Sequence, residues 1–73
     1  MIDITSYIYG GKGFRIKLMH FIIEKNIDIG GYSFKSMQGF STDALVYMII
    51  EKQENLKKLT EKEIAYFKKG LMI

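Results

Sequence analysis

Residues 59–71 read Leu59-Thr60-Glu61-Lys62-Glu63-Ile64-Ala65-Tyr66-Phe67-Lys68-Lys69-Gly70-Leu71, and they decide the fold class. Thr60 followed three residues later by Glu63 is a capping box: each side chain is placed to satisfy the other residue's backbone N–H at a helix start. Leu59 and Ile64 flank it as a hydrophobic staple. Ile64 and Phe67 then share one side of the predicted helix. Gly70 stands where a left-handed C′ residue would end it, leaving Leu71 to pack back on Tyr66.

Working back from Thr60, a second helix is predicted over 42–58. Ser41 or Thr42 serves as its N-cap, and Asp43 lies in its first turn, where a negative charge opposes the helix dipole. Leu45, Met48, Ile49, Lys52, Leu56 and Leu59 follow helical spacing, and Glu54 lies one turn before Lys58. The run Ala44–Ile50 is apolar throughout, so its first two turns must be covered on most sides. The two helices meet at Leu59-Thr60 through almost no loop and form a tight helical corner.

The first forty residues allow two readings. Over 14–25, Lys17, His20 and Glu24 form a polar stripe, with Phe14, Leu18, Phe21 and Ile22 opposite, which favours helix. The competing strand register alternates Phe14, Ile16 and Leu18 with Arg15 and Lys17, but it places His20 and Glu24 on the apolar face. In segment 2–9, Asp3 either caps a two-turn helix bearing Ile4, Tyr7 and Ile8, or Ile2, Ile4 and Ile8 face one side of a strand hairpinned through Gly10-Gly11-Lys12-Gly13. Residues 27–39 read as an irregular connector with a short strand at 32–37. The expected fold is therefore mainly α, a small bundle of three to four helices. The alternative is α+β, an N-terminal β-hairpin packed on the C-terminal helix pair.

Composition narrows function. Seventy-three residues make one small domain, 1–73, which buries only roughly 60% of its unfolded surface. There is no cysteine, proline or tryptophan, and the formal net charge is +3. Without cysteine there is no disulfide staple and no thiolate zinc site, and a reducing, cytoplasmic setting is expected. One histidine cannot build a histidine-rich metal centre, so no metal and no cofactor are expected. No apolar run reaches the length of a membrane span, and Met1-Ile2-Asp3 lacks the basic start of a signal peptide. Catalysis by His20 would need converging partners, and no nucleophile motif accompanies it; a solvated surface histidine is expected, and the protein is not expected to be an enzyme.

Two stretches are candidate sites. Gly10–Lys17 holds Lys12, Arg15 and Lys17 and no acid, a pattern that could contact an anion or nucleic acid, although it is not a Walker A loop. Residues 1–40 carry five cations and three acids and 41–73 six and five, so the charge is spread along the chain. With one arginine, sequence-specific DNA reading by a monomer is poorly supported; a dimeric helix-turn-helix-like regulator is the competing function. The connector holds Tyr32, Phe34, Met37 and Phe40, which are expected to form a partner-binding surface.

Apolar residues make up 48% of the chain, which excludes disorder and exceeds what so small an interior can hide. Clustered apolar surplus marks a contact site. The leading expectation is a small non-enzymatic binding protein, a regulator or inhibitor, that docks on another protein or on a second copy of itself. An isoleucine- and lysine-rich chain suggests an A+T-rich genome, such as that of a bacterium, phage or mobile element.

Overall fold

The computed structural model describes residues 2–31 and 34–73; the side chain of Phe34 also lies outside the description. Among the described residues the chain is all-helical, with no strand. Five α-helices follow a single 3₁₀ turn at Ile4–Ser6: α1 Phe14–Glu24, α2 Phe34–Met37, α3 Thr42–Glu51, α4 Gln53–Leu56 and α5 Glu61–Leu71. Three of these, α1, α3 and α5, are long enough to build the core, and α2 and α4 are single turns. The N-terminal hairpin alternative is not supported, nor is a strand over 32–37, since residues 34–37 are helical.

The element at the N-terminus is smaller than a two-turn helix. Asp3 does cap it, accepting from the Thr5 N–H at 3.2 Å and the Thr5 hydroxyl at 2.6 Å. The helix then fails because Tyr7 is extended (ψ 152°) and the chain turns at Ile8–Gly11, where Gly10 has φ 74°. Ile4 is fully buried, so this turn acts as a plug between α1 and α5.

Helix α1 starts behind Gly13 (φ 79°) and buries Phe14, Leu18, Met19, Phe21 and Ile22. Its end is a Schellman motif: the Ile27 N–H reaches the Ile22 carbonyl at 2.9 Å and the Asn26 N–H reaches that of Ile23 at 3.1 Å. Asn26 takes the left-handed backbone (φ 54°) that this ending requires, a conformation asparagine tolerates better than most residues. Ile27 and Ile22, both buried, supply the apolar contact that accompanies the motif.

Helix α3 begins with Ser41, whose hydroxyl accepts from the Ala44 N–H at 3.1 Å. It buries Leu45, Val46 and Ile49 and packs chiefly on α5. The single helix predicted over 42–58 is broken: Lys52 is extended (φ −97°, ψ 125°), and α4 restarts at Gln53. Asn55 accounts for the break. Fully buried, it donates through Nδ2 to the Ile49 carbonyl (3.1 Å) and the Asp28 carbonyl (2.6 Å), and its Oδ1 accepts from the Asp28 N–H (2.8 Å). A continuous helix would turn Asn55 away from Asp28 and leave those groups without these bonds. Lys52 adds an ion pair to Asp28 at 3.1 Å. Lys58, one turn after Glu54 in the predicted helix, lies beyond α4 and donates to the Asn26 carbonyl.

The capping box at α5 is complete. Thr60 Oγ1 accepts from the Glu63 N–H at 3.1 Å, and Glu63 Oε1 accepts from the Thr60 N–H at 2.8 Å. The corner is looser than predicted, since α4 ends at Leu56 and a turn fills 57–59 before the cap. Gly70 is not the left-handed terminator; α5 runs on through Leu71, and Met72 carries the positive φ (62°). The need for glycine at 70 is steric, because Tyr9 lies against it.

Tyr9 belongs to a ring cluster that closes this end of the core. Its centroid is 5.0 Å from Phe14 and 6.1 Å from Tyr66, and Tyr66 lies 5.6 Å from Phe67. Both hydroxyls are satisfied: Tyr9 donates to Asp43 Oδ1 at 2.7 Å and Tyr66 to the Tyr7 carbonyl at 2.7 Å. Burial is the first cause raising both phenols above the ordinary tyrosine range, and for Tyr9 the Asp43 carboxylate adds to it.

Candidate partner-binding surface

The residues expected to meet a partner are not brought together as one surface. Tyr32 and the side chain of Phe34 lie outside the described residues. Met37 is a correction: it is only 2% exposed and forms part of the core, because the one-turn α2 rolls it inward. Phe40 is half-buried and packs against that core.

The cations of Gly10–Lys17 also divide. Lys12 and Lys17 are exposed, whereas Arg15 is half-buried. Arg15 Nη2 donates to the Met37 carbonyl at 3.1 Å and the Gln38 carbonyl at 2.7 Å. Its guanidinium thus caps α2 and ties it to α1. Arg15 and Lys17, two positions apart on a helix, leave it roughly 200° apart, so they do not converge on one ligand.

Among the described residues, the outer face of α1 carries two large apolar side chains that nothing covers. Ile16 is 57% exposed and Ile23 is 55% exposed. They are seven positions apart, so they lie within ~20° of one another around the axis and about 10 Å apart along it. His20 is exposed between them, and Lys17 and Glu24 are exposed along the neighbouring edge. α1 therefore has two apolar sides, one in the core and one outside. Glu24 Oε1 accepts from the Ile2 N–H at 3.0 Å, which pins the N-terminal segment beside this face.

The polar stripe Lys17, His20, Glu24 lies where the sequence placed it. Overlooked in that reading were Ile16 and Ile23, which share its side of the wheel. The signal was present: a helix with Leu18, Phe21 and Ile22 facing inward cannot also bury position 16 or 23. Other large apolar side chains more than half exposed among the described residues are Ile8, Tyr47, Met72 and Ile73.

Among the described residues no group of three or more histidine, aspartate or glutamate side chains is placed to hold a metal ion. Likewise, no helix there is long and apolar enough to cross a membrane. The chain matches no known protein family, and no curated protein or solved structure is detectably similar to it.

Proposed function

We propose that the protein is a small non-enzymatic binding module, a regulator or inhibitor working by protein–protein contact in a reducing, cytoplasmic setting. The observation that carries this reading is the pair Ile16 and Ile23, each more than half exposed on one face of α1. Two isoleucines on one helix face, flanked by Lys17, His20 and Glu24, have the make-up of a docking surface with an apolar centre and polar rim.

The competing reading, a dimeric nucleic-acid-binding regulator of helix-turn-helix type, has less to work with. Its one arginine is held by the Met37 and Gln38 carbonyls, which leaves exposed lysines to meet phosphate.

Affinity capture with chemical cross-linking from the native host separates the two. The wild type is expected to retain a defined protein partner that Ile16→Glu/Ile23→Glu loses and Lys12→Ala/Lys17→Ala keeps. A mobility shift on DNA or RNA that weakens steeply with salt, and disappears in Lys12→Ala/Lys17→Ala, would overturn the proposal.

A further inference from the structure

We propose that the outer face of α1 docks on a second copy of itself, as an antiparallel pair about a two-fold axis through His20. This deepens the protein-contact reading above and rests on it. This face is complementary to itself. On the exposed arc of α1, Ile16 and Ile23 lie along one edge, Lys17 and Glu24 along the other, and His20 between them. A two-fold axis crossing an antiparallel helix pair keeps each edge on its own side and reverses its order. Ile16 then meets Ile23 of the second copy, and Lys17 meets Glu24 of the second copy; each contact occurs twice. One rotation thus pairs apolar with apolar and cation with anion.

The parallel arrangement fails the same test. A two-fold axis running along the helices swaps the edges, so the isoleucines face the charged edge and lose their apolar partner. The pattern therefore selects one orientation, which is how charged edges flanking an apolar seam set pairing and direction between helices. The patch is short, covering about 10 Å of helix, so the contact belongs to the small, weak class of interfaces and a concentration-dependent dimer is expected.

The test uses the intact chain, and its lack of cysteine makes it clean. Sedimentation equilibrium should show reversible dimerisation of the wild type. Lys17→Glu places two glutamates opposite one another at both ends of the contact and should weaken the dimer at least tenfold; Glu24→Lys should do the same with lysines. Mixing the two variants, or joining both changes in one chain, should restore association.

Because Glu24 also holds the Ile2 N–H, a second measurement avoids it. Chains carrying Ile16→Cys mixed with chains carrying Ile23→Cys should form a disulfide-linked heterodimer faster than either forms a homodimer. Circular dichroism confirms that each variant is folded. A wild type that stays monomeric at its highest soluble concentration overturns the proposal, as does a dimer indifferent to single charge reversal, or faster linkage of Ile16→Cys to itself. If the wild type is monomeric but still loses a captured protein partner through Ile16→Glu/Ile23→Glu, self-pairing fails while the protein-contact reading stands.

Discussion

The ring of Tyr9 occupies the space that any side chain at Gly70 would need. A Cβ built on Gly70 falls under 3.0 Å from Cγ, Cδ2 and Cε2 of that ring. Gly70 lies inside α5, where glycine is ordinarily about 1 kcal/mol worse than alanine. Its presence lets the C-terminal turn of α5 approach the loop before α1, and the Tyr9 hydroxyl continues the connection to Asp43 at the start of α3. Gly70→Ala should therefore destabilise, by about 1–2 kcal/mol, through overpacking. In a Tyr9→Ala background the same change should turn neutral or stabilising. Urea denaturation of the four proteins of this cycle measures the coupling, and stabilisation by Gly70→Ala in the wild type would refute the contact.

Asn55 is the second point at which one side chain holds several elements. Asn55→Ala leaves the Ile49 carbonyl and both backbone groups of Asp28 without their bonds, and a loss of about 2–3 kcal/mol is expected. Asn55→Asp keeps the acceptor for the Asp28 N–H but sets a carboxylate against two carbonyl oxygens. Its defect should be at least as large at neutral pH and should shrink in acid, where a protonated carboxyl can donate. Chemical denaturation at two pH values reads both effects.

Acid should loosen the same junction. The Gly30 N–H at 2.8 Å, and then Lys52, hold the Asp28 carboxyl below its ordinary value of 3.8. With the folded pKa depressed, the unfolded chain takes up protons first as pH falls, so this stabilisation is complete above the unfolded value and disappears through the folded one. Asp3, lowered chiefly by the Thr5 hydroxyl, contributes with the same sign. Melting temperature should fall below about pH 4, and Asp28→Asn should be less stable than wild type at pH 7 and converge with it in strong acid. A gap that stays constant with pH would remove the carboxylate from the explanation.

Two helix ends use a left-handed residue that is not glycine, Asn26 (φ 54°) and Met72 (φ 62°). A left-handed backbone costs an ordinary L-residue about 1–2 kcal/mol, and asparagine less. Met72→Gly should raise stability by about 1 kcal/mol, since its side chain is 91% exposed. Asn26→Ala should lower it by a similar amount and Asn26→Gly should not. Thermal melts of the three variants check the signs.

Removing the cap on α5 gives the plainest test of a local signal. Thr60→Ala deletes one half of a reciprocal pair and should cost about 1 kcal/mol in denaturation experiments.

What the sequence determined by itself was whatever depends on neighbours within a turn or two. The Thr60–Glu63 box, the Ser41 cap, the Asp3 cap and the inward face of α1 are all local, and hydrogen bonds or periodicity within a few residues dictate them. Tertiary structure decided the rest. The break at Lys52 was invisible because it depends on Asn55 reaching Asp28, 27 positions away. Gly70 looked like a terminator because its partner, Tyr9, is distant in the chain. Arg15 read as an anion contact because it is a cation in a glycine-rich stretch without acids, and Met37 as a partner contact because methionine suits interfaces; only the packing of α2 on α1 turns one into a cap and the other into core. The exposed pair Ile16 and Ile23 falls between the two cases. Their spacing was local, but their exposure follows from how much of α1 the small core could cover.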